Sequence, residues 1–366
     1  MRGYPAVTLP PYLGGIGQIY GLATLSRMLR SILYAFAALI VAVTLAACGG
    51  LAPPPNTKAI KPLPSALVGK IASIGSTPGA PMMVRIFKQT SELEVWKQTS
   101  GGSYKLLKTY EICAYSGGLG PKIKEGDRQS PEGFYNITPG LLNPNSNYYL
   151  AFNTGFPNKF DRAYGRTGSD LMVHGDCSSR GCYAMTDEGI SEIYALARET
   201  FKGGNASFQL QIFPFRMTAE NLAKNAKDPN ISFWKNIKTG YDRFEISRAP
   251  SAWDVCNKQY VFDVPSGTTL DASAACPTNV ASLSPDLQAK QAADQAAMDK
   301  AVSDLQAKEA KAAADAQKAA DDEAAAKARG EAIGDFFGGM FGGGDGQKVI
   351  DPTVEAPVPA PRPNRA

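Results

Sequence analysis

The sequence predicts an α+β fold: a β-rich domain with helices packed after residue 186, followed by a C-terminal Ala-rich helical arm. Three observations lead there. Between residues 82 and 160, short apolar alternations are separated by Gly, Pro and Asn turns, the pattern of strands in a sheet. From 186 to 201 the apolar period becomes helical, with Ile190, Ile193, Tyr194 and Ala197 on one face. From 285 onwards Ala, Lys, Asp and Gln dominate, and Ala and Lys are strong helix formers. At 366 residues the chain has room for one ordinary domain plus extensions. Its 38 basic and 34 acidic side chains leave a net charge of only +4, spread along the chain, which argues against a nucleic-acid partner.

The N-terminal elements concern targeting. Met28-Leu29-Arg30-Ser31 is a short positive segment, and residues 32–45 form an uncharged apolar run. That run is short for a membrane span and ends in small residues, so it reads as a secretory signal. Leu45-Ala46-Ala47-Cys48 resembles a bacterial lipobox. The resemblance implies that Cys48 is lipidated and becomes the mature N-terminus, with Gly49 directing an outer-membrane lipoprotein. A non-lipidated signal and a membrane anchor are the alternatives. Residues 1–27 fit no signal design, so Met28 reads as the initiator and 1–47 as the signal region. Residues 48–80 read as the lipidated cysteine and a Pro-rich extended tether.

A periplasmic location is oxidising, and disulfides form there. The six cysteines are 48, 113, 177, 182, 256 and 276. With Cys48 lipidated, five remain, and an odd number leaves at least one without an intramolecular partner.

The domain itself is expected over 81–262. Its predicted strands include MMVRIFKQTSELEVWKQ, YKLLKTYEICAYSGG, LMVHG (171–175) and FQLQIFPF (208–215). Thr186 caps the helix that follows, with Asp187 and Glu188 in an acidic first turn. TAENLAKNAKD and SFWKNIKTGYDRFEI predict two more helices. A loop is expected over 263–284, with a Cys256–Cys276 bridge as one pairing among those the sequence allows. Residues 285–335 predict a solvated Ala/Lys-rich helix whose large apolar positions (Leu287, Met298, Val302, Leu305) are too sparse for a firm coiled-coil seam. A self-associating or wall-spanning rod is the alternative. Residues 336–366, Gly-rich then Pro-rich, predict a disordered tail.

The chemistry concentrates in HGDCSSRGCYAMTDEG, residues 174–189, which holds the only histidine in the chain. Zinc would need four closed ligands, usually in paired Cys and His motifs, and no second histidine exists, so no metal is expected. Cys177 has two candidate partners, Cys182 and Cys113. Cys182 has the better claim to be a nucleophile. A thiolate is favoured beside a histidine and at a helix N-terminus, and His174 and the following helix offer both. Ser179, Arg180 and Gly181 precede the cysteine. Arg180 adds positive charge, and Gly181 lets the backbone turn so that nearby N–H groups can serve an oxyanion. Nucleophile, base and oxyanion donors are the parts that acyl transfer requires.

These strings resemble YkuD-type L,D-transpeptidases. The resemblance is carried by Val173-His174-Gly175 with Ser179-Arg180-Gly181-Cys182, and by KEGDRQSPEGFYNI (124–137), which is similar to the family's G-D-x-x-T-P-E-G-x-Y/F-x-I element. It is closest to the YafK-like branch, through GCYAMTD (181–187), the F-N-x-G-x-P-N and D-R-A-x-G-R-T-G-S elements within 152–169, IFPFRM (212–217) and FWKN (233–236). It spans about residues 82–262 and excludes the arm and tail. It implies a β-rich YkuD-type sandwich acting on peptidoglycan without a cofactor. Cys182 would attack the carbonyl at the L-centre of meso-diaminopimelate, with His174 relaying protons through an acyl-enzyme. The acceptor would be an amine, giving a 3–3 crosslink or an attached protein, or water, cutting a crosslink or the bond to a wall-linked lipoprotein or outer-membrane protein. An inactive wall-binding scaffold is the reading from another class. Asp127, Arg128, Arg162 and Arg166 are candidates to meet the stem's charged groups, with loop charges or structural pairs as the alternative. Two departures stand out. Arg180 replaces the usual histidine before Gly-Cys, and the loop between the two halves of the motif is short.

Overall fold

The structure, a computed structural model, describes residues 57–281 and 283–341. The chain divides into two compact units, residues 1–60 and 61–366. Of the first, the described part is one short helix, α1 (Thr57–Ile60). The signal region, Cys48 and the tail beyond 341 lie outside the described residues.

The second unit is α+β. One five-stranded sheet has the order β3-β2-β1-β10-β5, from β1 (Met82–Phe87), β2 (Glu92–Gln98), β3 (Tyr104–Glu111), β5 (Gly133–Ile137) and β10 (Phe208–Phe213). β1 and β10 run parallel at its centre, in register from Met83–Gln209 to Phe87–Phe213. Every residue of both strands is buried, which explains why each reads as a nearly continuous apolar run.

The second sheet has the order β4-β9-β8-β7-β6, built from β4 (Ala114–Tyr115), β6 (Leu142–Asn143), β7 (Ala151–Asn153), β8 (Met172–His174) and β9 (Tyr183–Ala184). A short helix, α3 (Lys159–Ala163), lies in the connection between β7 and β8. The longer α4 (Asp187–Lys202) touches β1 of the first sheet and β7 and β8 of the second. Ten of its residues are buried, as a helix between two layers requires. Thr186 caps it by accepting from Gly189 N–H at 3.0 Å.

Behind the first sheet lie α5 (Ala219–Lys224), α6 (Ile231–Ser247) and the hairpin of β11 (Trp253–Cys256) and β12 (Gln259–Phe262). Trp234, Phe134, Phe213 and Phe262 pack in one apolar cluster there. Gly240 of α6 admits the rings: a Cβ there would stand 2.3 Å from Phe262 and 2.5 Å from Phe134.

Three expectations are corrected. Within the stretch read as a tether (48–80), helix α2 (Ser65–Ser73) forms and buries Leu67 and Ile71, spaced i, i+4 on one face. The expected loop 263–284 contains a short helix, α7 (Thr278–Ala281), packed near the Cys256–Cys276 disulfide. The arm, α8 (Pro285–Phe341), reaches six residues past the expected end at 335, and its first turns dock along one sparse face while most of their residues stay exposed. Leu287 and Met298 are buried, and Ala301, Val302 and Leu305 pack on the cluster that holds α5 and α6. Lys238 pairs with Asp242 and with Asp294 of the arm, tying its base to α6. Beyond about Glu309 the arm is exposed. No helix among the described residues is long and apolar enough to cross a membrane.

Candidate active site

The nucleophile motif is placed by two parallel strands. In the β8–β9 register, Val173 faces Tyr183 and His174 faces Ala184. Carried back one residue, the register sets Cys182 opposite Met172, and Met172 N–H points at Cys182 Sγ across 3.4 Å. Side chains two residues apart share a face, so Cys182 and His174 are diagonal neighbours on the strand pair, with Cα atoms about 8 Å apart for ordinary sheet spacings. Cys182 is the free cysteine among the described residues.

His174 is buried and oriented. Its Nδ1 lies 2.5 Å from the Gly175 carbonyl, and because a carbonyl only accepts, Nδ1 carries the proton. The lone pair therefore sits on Nε2, the nitrogen free to take a proton. The Tyr148 ring packs 4.7 Å from the imidazole. Gly175 is needed by close packing: a Cβ there would meet Asp187 Oδ1 at 2.5 Å and Tyr148 O at 3.0 Å.

The electrostatics correct one expectation. Burial pushes the Cys182 thiol up from its ordinary value of 9.0; the Met172 N–H and the charge of Lys122 oppose this, and Asp170 adds to it. Burial likewise moves His174 down from 6.5, against the Gly175 carbonyl and Asp176. The resting pair is thus a neutral thiol and a neutral imidazole. Helix α4 begins at Asp187, with β9 and Met185 between it and Cys182. The start of α4 instead holds the turn after His174, where Asp187 Oδ1 accepts from Asp176 N–H at 3.0 Å.

The loop before Cys182 is held by hydroxyls. Ser179 Oγ donates to the Cys182 carbonyl at 2.7 Å, and Ser130 Oγ donates to the same carbonyl at 3.2 Å. Ser116 and Ser179 hydroxyls are 3.1 Å apart. Gly181 N–H lies 3.3 Å from Ser179 Oγ, so its role is the turn itself, at φ +122°. Arg180 is exposed. Cys177 is joined to Cys113, which fastens the catalytic loop to the end of β3; Cys177 therefore does not pair with Cys182. This closure spans 64 residues, and its loss is expected to cost about 2–4 kcal/mol. Cys113→Ser/Cys177→Ser should lower the thermal midpoint by roughly 5–15 °C. An unchanged midpoint would show that the loop is held without it.

The candidate charge contacts separate. Asp127 is turned inward: burial raises its carboxyl, but Lys122 at 2.5 Å and the N–H groups of Lys124, Gln129 and Ile123 outweigh this and hold it at about 2. Arg166 is buried against Asp161 at 2.9 Å, and Asp161 also accepts from Tyr135 OH. Both charges are matched inside the fold, which is the structural-pair alternative for these two residues. Arg162 is exposed and donates to the Pro157 carbonyl. Arg128 is exposed, on a left-handed residue at φ +53°.

Sequence reasoning passed over the supporting layer. Lys88 and Glu132 are fully buried and paired at 3.0 Å. Glu132 also accepts from Gly120 N–H at 2.7 Å and Trp234 Nε1 at 2.9 Å, and Lys88 donates to the carbonyls of Gly120 and Ser130. This knot positions Ser130, and Ser130 holds the Cys182 carbonyl. The signal was present in the S-P-E-G string, but its partner Lys88 lies 44 residues away. Among the described residues, no group of three or more His, Cys, Asp or Glu side chains is placed to hold a metal.

No family model matches the chain. The chain is 46% identical over 187 residues to YafK of Escherichia coli K12, whose name assigns it provisionally to the L,D-transpeptidases; the match covers 51% of this chain and 76% of YafK. The O157:H7 protein of that name matches equally. Among solved structures, the helical cell shape determining protein Pgp2 of Campylobacter jejuni (K307A mutant) is 17% identical, covering 59% of this chain and 86% of that one at a TM-score of 0.31. Bd1075 of Bdellovibrio bacteriovorus is 22% identical, covering 37% and 49% at 0.27. Those scores are too low to bear on the assignment, which rests on the sequence match. By that match, and by the motifs that place Cys182 beside His174, the chain belongs to the YkuD-type L,D-transpeptidase family, in its YafK-like branch.

Proposed function

We infer that the protein is a cell-wall enzyme that acts on peptidoglycan stem peptides through a cysteine acyl-enzyme. The observation that carries this is the unpaired thiol of Cys182, diagonal to an imidazole whose Nδ1 is tied to Gly175. His174 Nε2 accepts the thiol proton as Sγ attacks the peptide carbonyl at the L-centre of a diaminopimelate residue. The C–N bond breaks, the departing amine takes the proton back from the imidazolium, and a thioester remains on Cys182. An incoming amine or water, deprotonated by His174, then displaces the thiol. Transfer to an amine is the principal reading. Hydrolysis, of a crosslink or of a bond to a lipoprotein, is the second, raised by Arg180 in place of the family's usual histidine before Gly-Cys. The proposed setting is the periplasmic face of the outer membrane, with Cys48 as the lipid anchor.

Incubating the pure protein with sacculi, followed by muropeptide analysis, tests the reaction. New 3–3 dimers mean transfer; new tripeptide ends or released lipoprotein mean hydrolysis; neither product would overturn the reading.

The pH dependence follows from the resting pair. Because burial lowers His174, the free base persists to below pH 6.5; because burial raises Cys182, the thiol keeps its proton through neutrality. Carbapenem acylation should therefore be flat near neutrality and decline only below pH 6.5, as His174 protonates. A decline on the alkaline side of neutrality, as an imidazolium loses its proton, would instead indicate a preformed thiolate–imidazolium pair.

A further inference from the structure

Three cavities adjoin along one side of the second unit. The first, about 400 Å³, is lined by Gln129, Asp127 and Asn230 among others, on the loop that also carries Ser130. The second, about 210 Å³, shares Asn230 with it and is walled by Tyr164, Phe160 and Phe233. The third, about 370 Å³, shares Ser232, Asn236 and Gln259 with the second and lies between α6 and the base of α8, where Gln291 and Gln295 contribute. Shared lining residues set the three side by side in a row that forms an interrupted groove. It starts at the loop beside the nucleophile, since a Cβ on Gly181 would lie 3.9 Å from Gln129 O, and ends at the arm.

We propose that this groove binds the glycan strand of peptidoglycan, beyond the stem peptide that reacts at Cys182; the proposal rests on the wall-enzyme reading above. The lining has the chemistry of a saccharide site. Amides and hydroxyls are frequent in the second and third cavities (Asn230, Ser232, Asn236, Thr239, Gln259 and Gln291), and these groups both donate and accept, as sugar hydroxyls do. Asn236 is prealigned: its amide donates to Tyr260 O and accepts from Tyr260 N–H, both at 2.9 Å. One aromatic ring is exposed. Tyr164 is 52% exposed, and its ring is braced by Phe160 at 4.9 Å and by the Arg166 guanidinium at 5.4 Å, with Lys258 Nζ 5.8 Å from its centroid. The electron-rich face of such a ring suits the polarised C–H groups of a pyranose.

The charges agree. The carboxylates in the lining are already matched, Asp127 by Lys122 and Asp294 by Lys238 and Lys290. Lys124, Lys235 and Lys258 are exposed, and no ion pair involves them among the described residues. They suit a polymer that carries carboxylates beside its sugars.

The test uses the full chain with Cys182→Ala, so that binding is read without chemistry, against soluble glycan strands stripped of stem peptides by an amidase. Tyr164→Ala in that background should weaken glycan binding about tenfold. Tyr164→Phe should retain it, because the ring remains. Lys258→Glu, a change at an exposed side chain, should weaken it as well. Lys105→Ala, on β3 and outside the groove, should not. Equal glycan affinity for Tyr164→Ala and Lys258→Glu would overturn the proposal, and so would competition by free stem peptide in place of glycan. Acylation of the unmodified chain by a carbapenem is read separately. Loss of acylation with glycan binding intact counts against the enzyme reading, and the reverse counts against the groove.

Discussion

Cys182→Ala should abolish covalent labelling by a carbapenem and every new product on sacculi, a loss of at least about 10⁴-fold. His174→Ala should lose nearly as much, because no other histidine exists to take the thiol proton and burial keeps the thiol protonated. The two losses should not add: once the base is gone, removing the nucleophile changes little more. Intact-mass spectrometry after carbapenem exposure reads the first step alone. An adduct on Cys182→Ala would place the nucleophile elsewhere, and full-speed acylation of His174→Ala would remove the histidine from the mechanism. Neither change should unfold the protein, since Cys182 is half-buried and His174 makes a single hydrogen bond, to its neighbour's carbonyl. The thermal midpoint is the control.

Lys88→Met should destabilise the protein by about 3–5 kcal/mol, because it leaves the Glu132 carboxylate buried without its cation. Burial pulls the Lys88 ammonium below its usual range, and the Glu132 carboxylate opposes this only in part. The double variant Lys88→Met/Glu132→Gln should recover part of the loss, since a neutral amide is less costly to bury than a lone carboxylate, and Gly120 N–H keeps an acceptor. Urea unfolding of the single and double variants measures this. If the double variant is no better than Lys88→Met, the cost comes from packing and not from unpaired charge. Acylation should also slow in Lys88→Met, because Ser130, which holds the Cys182 carbonyl, sits on the loop that Lys88 anchors.

The legible features of this chain were local ones. The strand β10 shows its character as FQLQIF, the start of α4 is written in Thr186 with an acidic first turn, and Gly-Cys after a strand ending in His-Gly marked the nucleophile motif. Each depends on a few adjacent residues, so a linear reading suffices. Helix α2 was hidden because Leu67 and Ile71, its only buried side chains, sit in a stretch whose prolines dominate the composition. The docking of the arm was hidden for a similar reason. Leu287 and Met298 are eleven residues apart, about three helical turns, and so sparse a seam acquires meaning only when α5 and α6 supply the opposite wall.

Read in order, the chain carries its fold class, its family, and His174 and Cys182 as the candidate pair for acyl transfer. Tertiary structure alone decided what surrounds them. It chose Cys113, 64 residues away, as the partner of Cys177. It paired Asp127 with Lys122 and Arg166 with Asp161. It set the resting pair neutral, because desolvation in the folded protein outweighs the charges nearby. The physical reason is common to all three: pairing, burial and field depend on distances through space, and a chain read in order carries only distances along itself.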